Sequence, residues 1–135
     1  MVSRIASCSC GQLKVMCEGD PVRVSICCCG ACQKRTGSVY GVGAYFPQAQ
    51  VTSIAGQEKT YIRTSDAGRW LRSRFCPECG STVCWEAEFR PGIIGVAIGA
   101  LADAEDLQPV AVIWTKQKHA WAPIPTDIPA HETQP

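Results

Sequence analysis

Eight of the chain's ten cysteines fall into three clusters, Cys8-Ser9-Cys10-Gly11, Cys27-Cys28-Cys29-Gly30-Ala31-Cys32 and Cys76-Pro77-Glu78-Cys79-Gly80, and seven of the eight have metal-ligand spacing. The outer clusters supply two sulfurs each, and the middle one supplies three in a C-x-C-x-x-C frame. Two plus two completes a tetrahedral zinc site, whereas three leaves a coordination position open. Closed zinc sites hold folds together and open ones do chemistry. Zinc, two ions per chain, is therefore the expected cofactor.

Pro77 presets a turn, and Gly80 tolerates positive φ after the second ligand, so Cys76 and Cys79 read as a zinc knuckle. Cys8 and Cys10 are alternate residues, which share one face of a strand. Neither pair fills a tetrahedron alone. Together they form a structural site closing a long loop, whose entropy cost metal binding offsets. The competing reading of Cys8 and Cys10 is that they are small core residues.

In the middle cluster an extended Ile26–Cys29 turns Cys28 away from Cys27 and Cys29. Cys17, Cys84 or a kinked Cys28 remain alternatives that would close this second site. Zinc on three thiolates carries about one net negative charge, so it suits activation of a fourth thiol better than of water. A coordinated thiol loses its proton near neutral pH and becomes a nucleophile for an electrophilic carbon.

These residues must be positioned by strands. Alternation or β-rich composition predicts strands at 13–17, 21–26, 39–46, 50–54, 59–63, 70–75, 82–86, 93–98 and 110–115, with turns at Gly19-Asp20-Pro21, Gly56, Asp66-Ala67-Gly68 and Pro91-Gly92. One short helix is expected at Ala31–Thr36, closed by Gly37, and a further turn at 102–107. Many short strands with minimal helix indicate an all-β fold. At 135 residues with 46% apolar composition, one domain is expected. The boundary is set at 1–125, with 126–135 an irregular tail; the stretch from Trp121 onward holds four of the nine prolines.

A net charge of +1 and no basic run argue against a nucleic-acid partner. No apolar run reaches the ~18 residues of a membrane span, and the N-terminus shows no signal-peptide pattern. A cytoplasmic protein is the expectation, in which clustered cysteines bind metal rather than form disulfides. Lys34 and Arg35 read either as carboxylate binders or as a solvated helix face. Arg69, Arg72 and Arg74 read as one exposed face, with neutralisation of a zinc–thiolate site as the alternative. His119 reads as solvated or packing, and Trp70, Trp85, Trp114 and Trp121 as core.

The ordered set Cys8-x-Cys10-Gly11, Cys27-x-Cys29-x-x-Cys32 with Arg35-Thr36-Gly37-Ser38, Arg74 to Ser81, Gly99-Ala100-Leu101 with Asp103, and Trp114 to Trp121 resembles the glutathione-dependent formaldehyde-activating enzyme (GFA) family. The resemblance implies a tent-like zinc fold of short twisted antiparallel sheets. It implies a structural zinc on Cys8, Cys10, Cys76 and Cys79, and a catalytic zinc on Cys27, Cys29 and Cys32. It also implies a carbon–sulfur lyase that joins a small-molecule thiol such as glutathione to formaldehyde. Where the family often has His, this chain has Ser9, Cys28 and Val112. The runner-up function is a non-catalytic zinc module recognising a protein partner.

Overall fold

The computed structural model of the chain describes residues 2–134. Ten strands and one helix follow in the order β1 (Ser3–Ser7), β2 (Lys14–Glu18), β3 (Arg23–Cys27), α1 (Gly30–Thr36), β4 (Gly41–Pro47), β5 (Val51–Ala55), β6 (Lys59–Thr64), β7 (Trp70–Phe75), β8 (Thr82–Ala87), β9 (Ile93–Ala97) and β10 (Ala111–Ile113). Short 3-10 turns occupy Gln48–Gln50, Ile98–Ala100 and Thr115–Gln117. The fold is all-β, as its strand-sized alternating segments require.

A three-stranded sheet runs β1-β2-β5, and a seven-stranded sheet runs β10-β3-β4-β9-β8-β7-β6. Their inner faces enclose one core. Ala6, Val15 and Cys17 enter from the small sheet; Val24, Ala44, Phe46, Val83 and Val96 enter from the large one. Most alternate with an outward residue, as the two-residue strand period dictates; Val83 and Cys84 are consecutive and both buried, where the β7–β8 register shifts between Arg74 and Phe75. Cys17 and Cys84 are buried members of this core. A second cluster of Ile26, Cys28 and Val112 closes the other end, against Tyr40, Ile124 and Ile128.

Three features depart from expectation. β1 was not foreseen, because its inward residues are Ala6 and a buried arginine. Arg4 is satisfied there by Asp106 at 2.6 Å and Asp20 at 3.2 Å. β10 pairs with β3 in parallel, not antiparallel. β2 belongs to the other sheet, so the free edge of β3 is available to a strand arriving late. β10 also stops at Ile113, because Trp114 adopts a left-handed φ of 60°.

The tail is irregular, yet it is tied down. The Val112 amide donates to the Pro129 carbonyl at 2.9 Å, and the His131 amide donates to the Val112 carbonyl at 2.8 Å. Proline carbonyls accept as well as any others, so a proline-rich segment can still cover an open strand edge.

Candidate metal centres and the face that joins them

Cys8 follows β1, and a tight turn brings Cys10 beside it; the Gly11 amide donates to the Cys8 carbonyl at 3.0 Å, with Gly11 at φ 83°. The knuckle after β7 presents Cys76 and Cys79, closed by the Gly80 amide donating to the Cys76 carbonyl at 2.8 Å. The four sulfurs converge. Sγ of Cys10 lies 3.6 Å from that of Cys8 and 3.7 Å from that of Cys76. A tetrahedron of zinc–sulfur bonds near 2.3 Å sets its sulfurs roughly 3.8 Å apart. Four thiolates at that spacing fit zinc.

Hydrogen bonds support these sulfurs from outside. The Leu13 amide donates to Cys8 Sγ at 3.3 Å, and the Glu78 amide donates to Cys76 Sγ at 3.4 Å. Gln12 Nε2 donates to Cys76 Sγ at 2.9 Å and to the Gln57 carbonyl at 2.8 Å. Burial pushes the Cys76 thiol up, but the Gln12 amide and knuckle N–H groups outweigh it, and the net shift is down. Cys79 is drawn down to about 5, chiefly by Ser81. Sequence spacing identified these four sulfurs, but not Gln12.

The second group is Cys27, Cys29 and Cys32, whose sulfurs all lie within 4.8 Å of one another. All three are half-buried. Cys27 ends β3, Cys29 caps α1 by accepting the Cys32 amide at 3.4 Å, and Cys32 lies in the first turn. Cys28 faces into the second core cluster and is fully buried. Cys17 and Cys84 lie in the main core. No His, Cys, Asp or Glu among the described residues joins these three sulfurs as a fourth ligand.

The thiols of Cys27 and Cys32 donate to the Cys29 sulfur and draw it down to about 2. Cys27 moves up for the same reason, its proton being held between Cys29 and Cys32. At Cys32 the Cys27 thiol pulls down, but Cys29 and burial prevail and the shift is upward. The cluster thus holds one thiolate readily and resists the second and third. A bound cation removes that resistance, and the soft donor set suits zinc.

Two glutamines lock this loop. Gln33 Nε2 donates to the Cys28 carbonyl at 2.9 Å and the Gln117 carbonyl at 3.1 Å, while the Gly30 amide donates to Gln117 Oε1. The left-handed Trp114 redirects the chain into the turn that carries Gln117. His119, which the sequence alone did not locate near the cysteines, has its Nε2 3.0 Å from Gln33 Oε1. A loop that brings residues 117–119 back onto α1 cannot be read from one-dimensional spacing.

The outer face of the large sheet leads away from this group. Cys27 pairs with Gly41, Ser25 with Gly43 and Arg23 with Tyr45. Trp85 pairs with Gly95. Its indole lies flat on the sheet: a Cβ on Gly95 would come within 2.3 Å of Trp85 Nε1, and one on Gly43 within 2.8 Å of its ring edge. Glycine inside a strand signals such a close approach; that was the available clue. Tyr45 meets Trp85 edge-on at 6.2 Å, Arg35 stacks on Trp85 at 4.4 Å, and Arg90 lies 5.5 Å over Tyr45. Burial chiefly raises the Tyr45 phenol, and charge on Cys32 adds to this.

The tryptophans therefore do not all build the core. Trp85 is half-buried on the face, and Trp121 is 72% exposed. The arginines before the knuckle also divide. Arg72 and Arg74 share one face of β7 in a partly buried network with Glu86 and Glu58, at 2.8 to 3.1 Å. Arg69 precedes the strand and lies over Phe89. Glu86 lies on β8 and Glu58 in the connection just before β6, so this pairing follows from the strand arrangement, not from local pattern.

A crystal structure of a Rhodobacter sphaeroides protein superposes with a TM-score of 0.59 over 96% of this chain and 99% of that one, at 16% identity. A Fusarium vanettenii protein described as a glutathione-dependent formaldehyde-activating enzyme is 30% identical over 79 residues. That match covers 52% of this chain and 41% of the relative, so the chain spans about two fifths of that protein's length. The family profile of the glutathione-dependent formaldehyde-activating enzymes matches residues 3–117, from β1 to the turn after β10. The chain belongs to the glutathione-dependent formaldehyde-activating enzyme family.

Proposed function

We propose that the protein is a zinc-dependent carbon–sulfur lyase that adds a thiol, glutathione or a relative, reversibly to formaldehyde or another small carbonyl. The observation that carries this reading is the difference between the two cysteine groups. One is a four-sulfur set between a β-turn and a knuckle. The other is a half-buried three-sulfur set opening onto an arginine-bearing face.

Cys8, Cys10, Cys76 and Cys79 would hold a structural zinc, and Cys27, Cys29 and Cys32 a catalytic one. Bound at the three-cysteine group, zinc supplies stabilisation of a substrate thiolate at neutral pH, which a free thiol with pKa of about 8.5 lacks. The protein's own residues do the rest. Gln33 and Gln117 fix the loop so that the three sulfurs keep their spacing. Arg35 and Arg63 place positive charge near the group and pull Cys32 and Cys29 down. Tyr45 stays protonated, so its hydroxyl is a donor for the oxygen that becomes negative as the carbonyl is attacked. The balance is simple: a C–S bond forms, the C=O π pair becomes a hydroxyl, and the thiol proton ends on that oxygen. No oxidant or protein nucleophile is needed.

Residues 1–125 form the zinc-binding domain in this reading, and a reducing cytoplasm keeps its thiols available to metal. Exchange NMR of glutathione with formaldehyde tests the activity against the uncatalysed background, with Cys29→Ser as control. Rate above background in the wild type, absent in Cys29→Ser, supports the lyase. No excess rate, with a zinc absorption edge unchanged by glutathione, rejects it and leaves a partner-binding module as the better account.

A further inference from the structure

The face beside the three-cysteine group carries more positive charge than the protein uses. Ion pairs among the described residues engage only Arg4, Arg72 and Arg74 as cations. Arg23 and Arg63 share the face of Cys27 and Trp85 by register, and Arg90 lies over Tyr45. Among the described residues, none of these three, nor Arg35, has a carboxylate partner. Arg35 is the most constrained of the four. Its guanidinium stacks on Trp85 at 4.4 Å and is half-buried, yet its N–H groups find no acceptor among the described residues. Lys34, beside it in sequence, points to solvent.

The place of Arg35 matters as much as its charge. A Cβ on Gly41 would lie 2.5 Å from Arg35 Nη2 and 3.5 Å from Cys32 Cβ. Gly41 is therefore the point where Arg35 and the three-cysteine group meet. Arg35 and Gly41 also line one end of an open groove of about 540 Å3 that runs towards Ser9, Ser81 and Gly99. That volume falls within the roughly 300–1,000 Å3 of small-molecule sites. Its lining mixes serine and threonine hydroxyls with small apolar side chains and contains no acidic residue; Arg35 is its single cation. A guanidinium held over an aromatic ring is preplaced, and its planar fork of N–H donors matches a carboxylate bidentately.

We infer that Arg35, laid on Trp85, receives a carboxylate of the thiol substrate, and that the groove beyond it takes the remainder of a peptide-like acidic thiol. This rests on the lyase reading for the identity of the reacting group. The residue selects substrate; it does not take part in bond formation. Neutral thiols would reach the same sulfur cluster without this anchor.

The test uses S-methylglutathione, whose capped sulfur has no proton to lose, and its dimethyl ester, which lacks both carboxylates. Calorimetric titration of the zinc-loaded protein should show the acid binding roughly 10- to 100-fold more tightly than the ester, the range expected for a bidentate charge-assisted pair. Arg35→Gln should bind the two alike, and Arg35→Lys should fall between. In turnover, Arg35→Gln should raise KM for glutathione far more than KM for 2-mercaptoethanol, which carries no carboxylate for Arg35 to hold. The ester comparison needs no variant, so a misfolded variant cannot mask the result. No binding of the acid, or equal affinity for acid and ester in the wild type, overturns the proposal. If the acid binds through Arg35 but no carbonyl addition is catalysed, the anchor stands and the lyase reading falls. If addition proceeds with the same glutathione KM in wild type and Arg35→Gln, the anchor falls alone.

Discussion

Gly95→Ala tests the seating of Trp85 on the sheet. The added Cβ would stand 2.3, 2.6 and 2.9 Å from three indole atoms, where ordinary contact begins at 3.4 Å. The ring must rise by about 1 Å, since the backbone of β9 cannot retreat without breaking its pairing with β4 and β8. Overpacking of this kind costs about 1–3 kcal/mol. For a chain of this size that is a fall in Tm of roughly 3–15 °C. Lifting the indole also removes the surface on which Arg35 lies. Gly99→Ala is the internal control, because its Cβ meets nothing within 4 Å and its φ is not left-handed. Thermal and urea unfolding should separate the two variants. Iodide quenching of tryptophan emission should report a more accessible indole in Gly95→Ala alone. If Gly95→Ala melts with the wild type and its quenching is unchanged, the indole is not held against Gly95, and the account of this face is wrong.

Further outcomes follow from the two cysteine groups and the ion pairs. Cys76→Ser should unfold or strongly destabilise the chain, whereas Cys29→Ser should keep most of the fold while losing activity and the second metal; equal melting of the two would make both groups structural. Gln12→Ala should loosen zinc at the four-cysteine group roughly 10- to 100-fold in a chelator competition, since it removes a donor to the Cys76 sulfur. Asp106 is held below the usual carboxylate range by its hydrogen bond from Arg4. A depressed carboxyl contributes stability fully above its unfolded pKa of about 4 and loses it as pH falls through the folded value. Urea midpoints of wild type and Arg4→Met should therefore converge as pH drops from about 5 towards 2; a constant gap would refute the linkage.

The seven candidate ligand cysteines and nearly all of the strands were legible because both are local signals: fixed spacing in one case, two-residue alternation in the other. β1 was hidden because Arg4 stands where the pattern asks for an apolar residue, and its counter-charges Asp20 and Asp106 arrive from elsewhere. The direction of β10 was hidden because short strands carry no mark of parallel pairing. Around the sulfurs, the supporting groups Gln12, Gln33 and Gln117 were invisible for the same reason: an amide side chain announces no chemistry until the fold gives it a partner. Gly43 and Gly95 were the exception, two mid-strand glycines whose purpose a pattern search passes over and a ring lying across them explains.

The late pairing of β10 has a consequence for the order in which a nascent chain matures. Synthesis releases residues from the N-terminus onward. All four sulfurs of the Cys8, Cys10, Cys76 and Cys79 group have been made once residue 79 appears. The sulfurs of Cys27, Cys29 and Cys32 appear much sooner, but their loop is braced by Gln117, which lies 84 and 87 residues beyond the groups it holds, Gln33 and Gly30. On the ribosome, the four-sulfur group can therefore assemble while the three-sulfur group still lacks its bracing. A polypeptide stalled before β10 would carry all four sulfurs of the first group and be unable to set the geometry of the second.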